Sequence, residues 1–167
     1  FWLASFFLPS KCRDDSAVVY SFCRIVDDAV DEAVDSTQGG LAISKIESEL
    51  NGESPPRPII AGFLKIIQNH PIQKYAAKDL ILGLQTDVST VRISDDWHLA
   101  QYCYRVAGSV GLMMCGVLGI NNPKAWPFAI DLGIAMQLTN ICRDVLEDAR
   151  NDRVYLPKSR LEKINSS

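Results

Sequence analysis

Two pairs of aspartates, Asp27/Asp31 and Asp144/Asp148, stand one helical turn apart, and each pair follows closely on an arginine, Arg24 or Arg143. With residues at 100° intervals, Tyr20, Arg24, Asp27 and Asp31 fall in a stripe about 60° wide. Asp28 flanks that stripe, and Val18, Phe22, Ile25 and Ala29 lie opposite. Like charges at i, i+4 destabilise an isolated helix by about 0.2–0.5 kcal/mol. A solvated polar face explains such a stripe taken alone. The second pair is different. Between Phe128 and Leu146 the sequence is apolar in most directions, which predicts a buried helix. Through it runs one narrow polar stripe, Gln137, Asn140, Asp144 and Asp148, edged by Arg143 and Glu147. Buried carboxylates need counter-charges or metal.

Two such clusters facing each other form a cage of at least four carboxylates. Hard cations such as Mg²⁺ take oxygen ligands, keep waters and are completed by substrate phosphates. Arginine forks supply bidentate donors to the same phosphate oxygens. The constellation therefore suits a diphosphate held between two Mg²⁺-carrying walls. No G-x-x-x-x-G-K-[ST] run is present, which argues against a P-loop nucleotide site.

The elements that must position these residues read as helices throughout. One runs over Ser10–Asp35, and Gly39-Gly40 is expected to end that region before a short helix near Leu41–Leu50. A Gly and three prolines within Asn51–Pro58 mark a loop. Ile59–Asn69 and Pro71–Thr90 have helical spacing. Ser94-Asp95-Asp96 caps a helix to about Gly119, and Asn122-Pro123 opens one to about Arg150. No alternating pattern of useful length appears, so the fold class is all-α.

At 167 residues and 47% hydrophobic, the chain is expected to form one domain without disulfide or metal staples. Its net charge of −3, with no basic face, argues against nucleic-acid binding. Five cysteines without C-x-x-C spacing fit a reducing, cytoplasmic setting. The uncharged stretch Val106–Pro123 carries four glycines, Ser109, Asn121 and Asn122, and reads as a buried helix rather than a membrane span. A mean hydropathy of +0.03 hints at an apolar cavity or a membrane-facing patch.

Five segments, in order, resemble the squalene/phytoene synthase family. They are Phe1-Trp-Leu-Ala-Ser with Leu8-Pro9, Tyr20 to Glu32, Tyr102 to Gly111, Gln137 to Asp148, and Arg153-Val-Tyr-Leu-Pro157. The resemblance implies an isoprenoid synthase-type helical bundle around a central cavity. It also implies Mg²⁺-dependent head-to-head (1′-1) condensation of two prenyl diphosphates, farnesyl or geranylgeranyl, through a cyclopropylcarbinyl diphosphate. By that resemblance Asp27, Asp28, Asp31, Asp144, Glu147 and Asp148 are metal ligands for two or three Mg²⁺ ions. Arg24, Gln137, Asn140, Arg143 and Arg153 lie around the diphosphates, and Tyr102, with Arg24 and Arg143, belongs to the catalytic set. NADPH use stays open, as do C15 against C20 substrate and the oligomeric state; peripheral membrane contact is expected for release of a hydrocarbon product.

Apolar, non-nucleophilic walls must protect a prenyl cation, and Val106–Gly119 is a candidate. Its glycines fit either a prenyl chain passing close to the backbone or tight helix packing and a kink. Asn151-Asp152 depart from the basic residue and glycine that the family usually places before Arg153. The family fold continues with several helices after Tyr-Leu-Pro, so the chain is expected to lack its C-terminal helices and to be impaired in turnover. Two other readings remain: a head-to-tail prenyltransferase or terpene cyclase, and a non-catalytic lipid-binding or assembly scaffold.

Overall fold

The computed structural model describes residues 10–70 and 74–165; the Phe1–Pro9 motif and the start of the Pro71–Thr90 helix lie outside them. Eight α-helices are described: α1 Ser10–Asp31, α2 Ser36–Asn51, α3 Pro58–Asn69, α4 Lys74–Gln85, α5 Asp96–Cys103, α6 Ser109–Val117, α7 Trp126–Arg150 and α8 Lys158–Asn165. One widened π-type turn, Tyr104–Gly108, joins α5 to α6. The all-α expectation holds apart from two short strands. β1 (Val91–Arg92) pairs in parallel with β2 (Arg153–Val154), Val91 opposite Arg153.

The first core lies among α1, α2, α3, α4 and α6. On α1 it takes Val19, Phe22, Val26 and Val30, at spacings of three and four, with Val18, Ile25 and Ala29 at its border. Phe22 stacks on Phe63 of α3 with ring centroids 3.8 Å apart. Full burial of each such side chain contributes roughly 1.5–3 kcal/mol. A second cluster joins Val91, Tyr102, Cys103, Ile141 and Tyr155 beneath the strand pair.

Local chemistry sets the helix ends. Asp35 does not end α1; its carboxylate accepts from the Gln38 backbone N–H at 2.8 Å, while Gln38 Oε1 accepts from the Val34 N–H at 2.8 Å. This reciprocal cap starts α2 at Ser36 and carries the helix through Gly39-Gly40, against the expected break there. Gly39 is buried, and a Cβ on it would lie 3.3 Å from both Ala33 Cβ and Val88 Cγ1, so close packing is what the glycine serves. The expected cap at Asp95 is present, accepting from the His98 N–H, while Asn122 accepts from the Lys124 N–H and caps a 3₁₀ turn, Pro123–Ala125, that leads into α7.

Helix α7 corrects the sequence reading. Ile141 is its one buried residue, whereas Phe128 is 75% and Leu132 64% exposed. Its polar residues Gln137, Asn140, Asp144 and Asp148 are half-buried and turn toward the bundle, so its polar stripe faces inward and much of its apolar arc outward. An apolar-all-round sequence carries no information on which neighbours are present to bury it. Of the Val106–Gly119 glycines, Gly108 and Gly111 resolve to packing, whereas Gly119, at φ 71°, has open space around it. A Cβ on Gly111 would meet Ala129 O at 2.4 Å, and one on Gly133 would meet Ala107 O at 2.4 Å, so α6 and α7 touch through backbone. Among the described residues no helix is long and apolar enough to cross a membrane.

Candidate active site

The carboxylate-bearing ends of α1 and α7 line one polar cleft of about 1050 Å³. Asp31 comes from α1 and Asp144, Glu147 and Asp148 from α7, and Arg143 and Arg153 share the lining. Asp31, Asp87 and Arg153 also line an inner space of about 270 Å³, where Arg24, Asp27, Tyr102 and Gln137 join them. Its lining also includes Leu80, Leu84, Val106 and Val110. Of the expected Val106–Gly119 wall, then, Val106 and Val110 face a cavity. Asp28 and Asn140 are half-buried and lie outside both linings.

Each acidic motif is paired with arginine. Arg24 Nη1 donates to Asp27 Oδ2 at 2.9 Å, and its Nη2 to Asp28. Arg143 grips Asp144 with two bonds, Nε to Oδ1 at 2.7 Å and Nη2 to Oδ2 at 2.6 Å. Arg153 Nη1 donates to Asp31 Oδ1 at 2.9 Å and Nη2 to the Asp87 carbonyl at 3.4 Å. Burial and then Asp31 push the Asp27 carboxyl above the usual range; burial and then Asp144 do the same for Asp148. The hydrogen bonds from Arg143 hold Asp144 below it.

The expected carboxylate cage is not preformed. Among the described residues no three Asp, Glu, His or Cys side chains stand close enough to hold a metal ion. Facing carboxylates repel, and Arg24, Arg143 and Arg153 pair with them instead. The donor set still fits a hard cation: every acidic group of the cleft offers oxygen, and Asp27 and Asp148, raised first by burial, are each raised further by a neighbouring carboxylate, Asp31 and Asp144.

Sequence reasoning missed the floor of the site. Asp87 is buried on the 3₁₀ turn Thr86–Val88 after α4 and accepts from two phenols, Tyr102 Oη at 2.8 Å and Tyr155 Oη at 2.7 Å. The two rings stack at 4.8 Å. Burial raises the Asp87 carboxyl to about 6, the phenols and Arg153 opposing that shift. Burial, with the Asp87 charge next, raises the Tyr102 hydroxyl too, so it stays protonated and donates. One signal was available: Asp87 falls where the apolar stripe Leu80, Leu84 would continue at helical spacing.

Asp152 adopts φ 58°, the left-handed region that glycine occupies most readily, and does so at the position before Arg153 where the resemblance leads one to expect glycine.

The squalene/phytoene synthase family profile matches residues 1–167. The chain is 37% identical to a 15-cis-phytoene synthase of Paracoccus sp., covering 99% of this chain and 58% of that protein. It is 35% identical to phytoene synthase 1, chloroplastic, of Arabidopsis thaliana, over 100% of this chain and 42% of that protein. A solved dehydrosqualene synthase in complex with ligand superposes with a TM-score of 0.86 at 31% identity, over 99% of this chain and 59% of that one. A squalene synthase from Alicyclobacillus acidocaldarius gives 0.84 at 27%, over 95% and 61%. The chain thus spans a little over half the length of many of the proteins it matches. It shares the isoprenoid synthase-type helical fold of these structures, and a match along its whole length, with two acidic helix ends on one cleft, makes it a member of the squalene/phytoene synthase family.

Proposed function

We propose that the protein carrying this chain is a transferase that condenses two prenyl diphosphates head to head, from C1′ to C1. The observation that carries this reading is that the two spaces share a wall of Asp31, Asp87 and Arg153. An arginine- and aspartate-lined cleft, suited to diphosphate, adjoins across these residues a cavity whose lining includes four aliphatic side chains. Relatives named phytoene synthases favour geranylgeranyl diphosphate and a phytoene-type product over the squalene type.

In this reading Asp27, Asp28, Asp31, Asp144, Glu147 and Asp148 would hold Mg²⁺. When bound, the ions would neutralise the departing diphosphate. Arg24, Arg143, Gln137, Asn140 and Arg153 bind and orient the diphosphates, whose C–O bond breaks as negative charge develops on the leaving oxygen. Tyr102, protonated and hydrogen-bonded to Asp87, presents a fixed phenol at the inner cavity. Leu80, Leu84, Val106 and Val110 offer no nucleophile to an allylic cation and exclude water from it. A hydrocarbon product makes peripheral membrane contact part of the proposal.

The test is turnover of labelled farnesyl and geranylgeranyl diphosphate in Mg²⁺, with and without NADPH. Phytoene-type product from the C20 substrate, independent of NADPH, is expected. Head-to-tail products, cyclised terpenes, or no consumption of either diphosphate would overturn the reading.

A further inference from the structure

Asp152 is the one non-glycine residue with positive φ among those described. It follows the end of α7, where its N–H donates to Ala149 O at 3.2 Å, so its left-handed conformation closes the helix that carries Asp148. Four further hydrogen bonds hold it. Val91 N–H and Arg92 Nη1 donate to its carbonyl at 3.3 and 2.7 Å. Arg92 Nη2 donates to Oδ1 and Thr90 Oγ1 to Oδ2, the latter at 2.8 Å. Arg92 Nη1 is itself anchored on Val91 O at 2.7 Å. Both carboxylate oxygens and the carbonyl are thereby committed to β1 and the residue before it.

The next residue is Arg153, whose guanidinium spans Asp31 of α1 and the Asp87 carbonyl. Arg92 and Asp152 are both more than half exposed, and an exposed ion pair contributes little to stability. What the bonds fix is direction: the turn between α7 and β2, and with it the point from which Arg153 enters the cleft. We infer that Arg92 and Asp152 are positioning residues for Arg153, clamping the turn so that its guanidinium is held between Asp31 and Asp87. The consequence for ligand binding rests on the diphosphate reading above; the restraint on Arg153 does not.

Two readouts separate these. In the unchanged chain, restricted rotation should give Arg153 resolved Nη proton resonances by NMR, assigned with Arg153→Lys. Arg92→Ala and Asp152→Gly, the latter keeping the left-handed backbone available, should average those resonances while shifting the melting temperature by no more than about 3 °C. Thr90→Val removes a single donor and should give a smaller change of the same kind, which keeps the test decisive if Arg92→Ala does not fold. Titration with inorganic diphosphate in Mg²⁺ should show about tenfold weaker binding in Arg92→Ala, with Arg92→Lys recovering part of it and with no further loss in an Arg153→Ala background. Arg153 resonances that stay resolved in Arg92→Ala, Asp152→Gly and Thr90→Val would overturn the inference. So would an Arg92→Ala affinity loss of equal size with Arg153 already removed. If Arg153 loosens but the unchanged chain binds no diphosphate, the positioning role stands and the proposed function falls.

Discussion

Asp87 shows how a single buried carboxyl can be tuned by its surroundings. Burial holds its carboxyl near 6, above the 3.8 of a free aspartate, although two phenols favour its charged form. The sign of the linkage follows. Between those values the folded state binds the proton and the unfolded state does not, so this residue adds stability as pH falls from 7 toward 4. Relative to Asp87→Asn, the unchanged chain should gain on the order of 3 kcal/mol across that window, measured by urea unfolding at successive pH values. A difference independent of pH would contradict the assignment. The residues of the two acidic motifs were legible in the sequence because each motif is local to one helix. The Asp87 cluster was not, since its phenols come from 15 and 68 residues away and nothing in the spacing joins them.

Helices were legible where the signal is local and misread where it depends on neighbours. The caps at Asp95 and Asn122 and the proline loop needed no tertiary information. The start of α2 was missed because Gly39-Gly40 suggests a break while the Asp35/Gln38 cap outweighs it. Which way α7 faces cannot be read from a segment that is apolar in most directions. Glycine carries the same lesson, because its worth depends on what a methyl would meet. A Cβ on Gly83 would lie 2.8 Å from Arg105 Cβ and Val106 Cγ1, whereas one on Gly40 meets nothing within 4 Å. Gly83→Ala should therefore cost about 1–3 kcal/mol by overpacking α4 against the π-type turn. Gly40→Ala, inside α2, should stabilise by roughly 0.5–1 kcal/mol. Chemical denaturation of the two variants measures both, and equal effects would contradict the packing described here.

The molecule as a whole brings together two acidic motifs more than a hundred residues apart in the chain and places an arginine on each. That pairing leaves Asp27, Asp28 and Asp144 engaged by arginine until a ligand competes for it. Such a site should respond weakly to cation alone and strongly to cation with an anion that takes the arginine donors. The central claim is that this cleft is built for diphosphate with Mg²⁺, and thermal melting with Mg²⁺, with inorganic diphosphate, and with both tests it most directly. Both together, near 100 times their apparent Kd, should raise the melting temperature by roughly 5 °C or more. Either alone should do much less, and Asp148→Asn should keep its fold yet lose the combined response. Equal stabilisation by Mg²⁺ alone, or no shift with both present, would contradict the account.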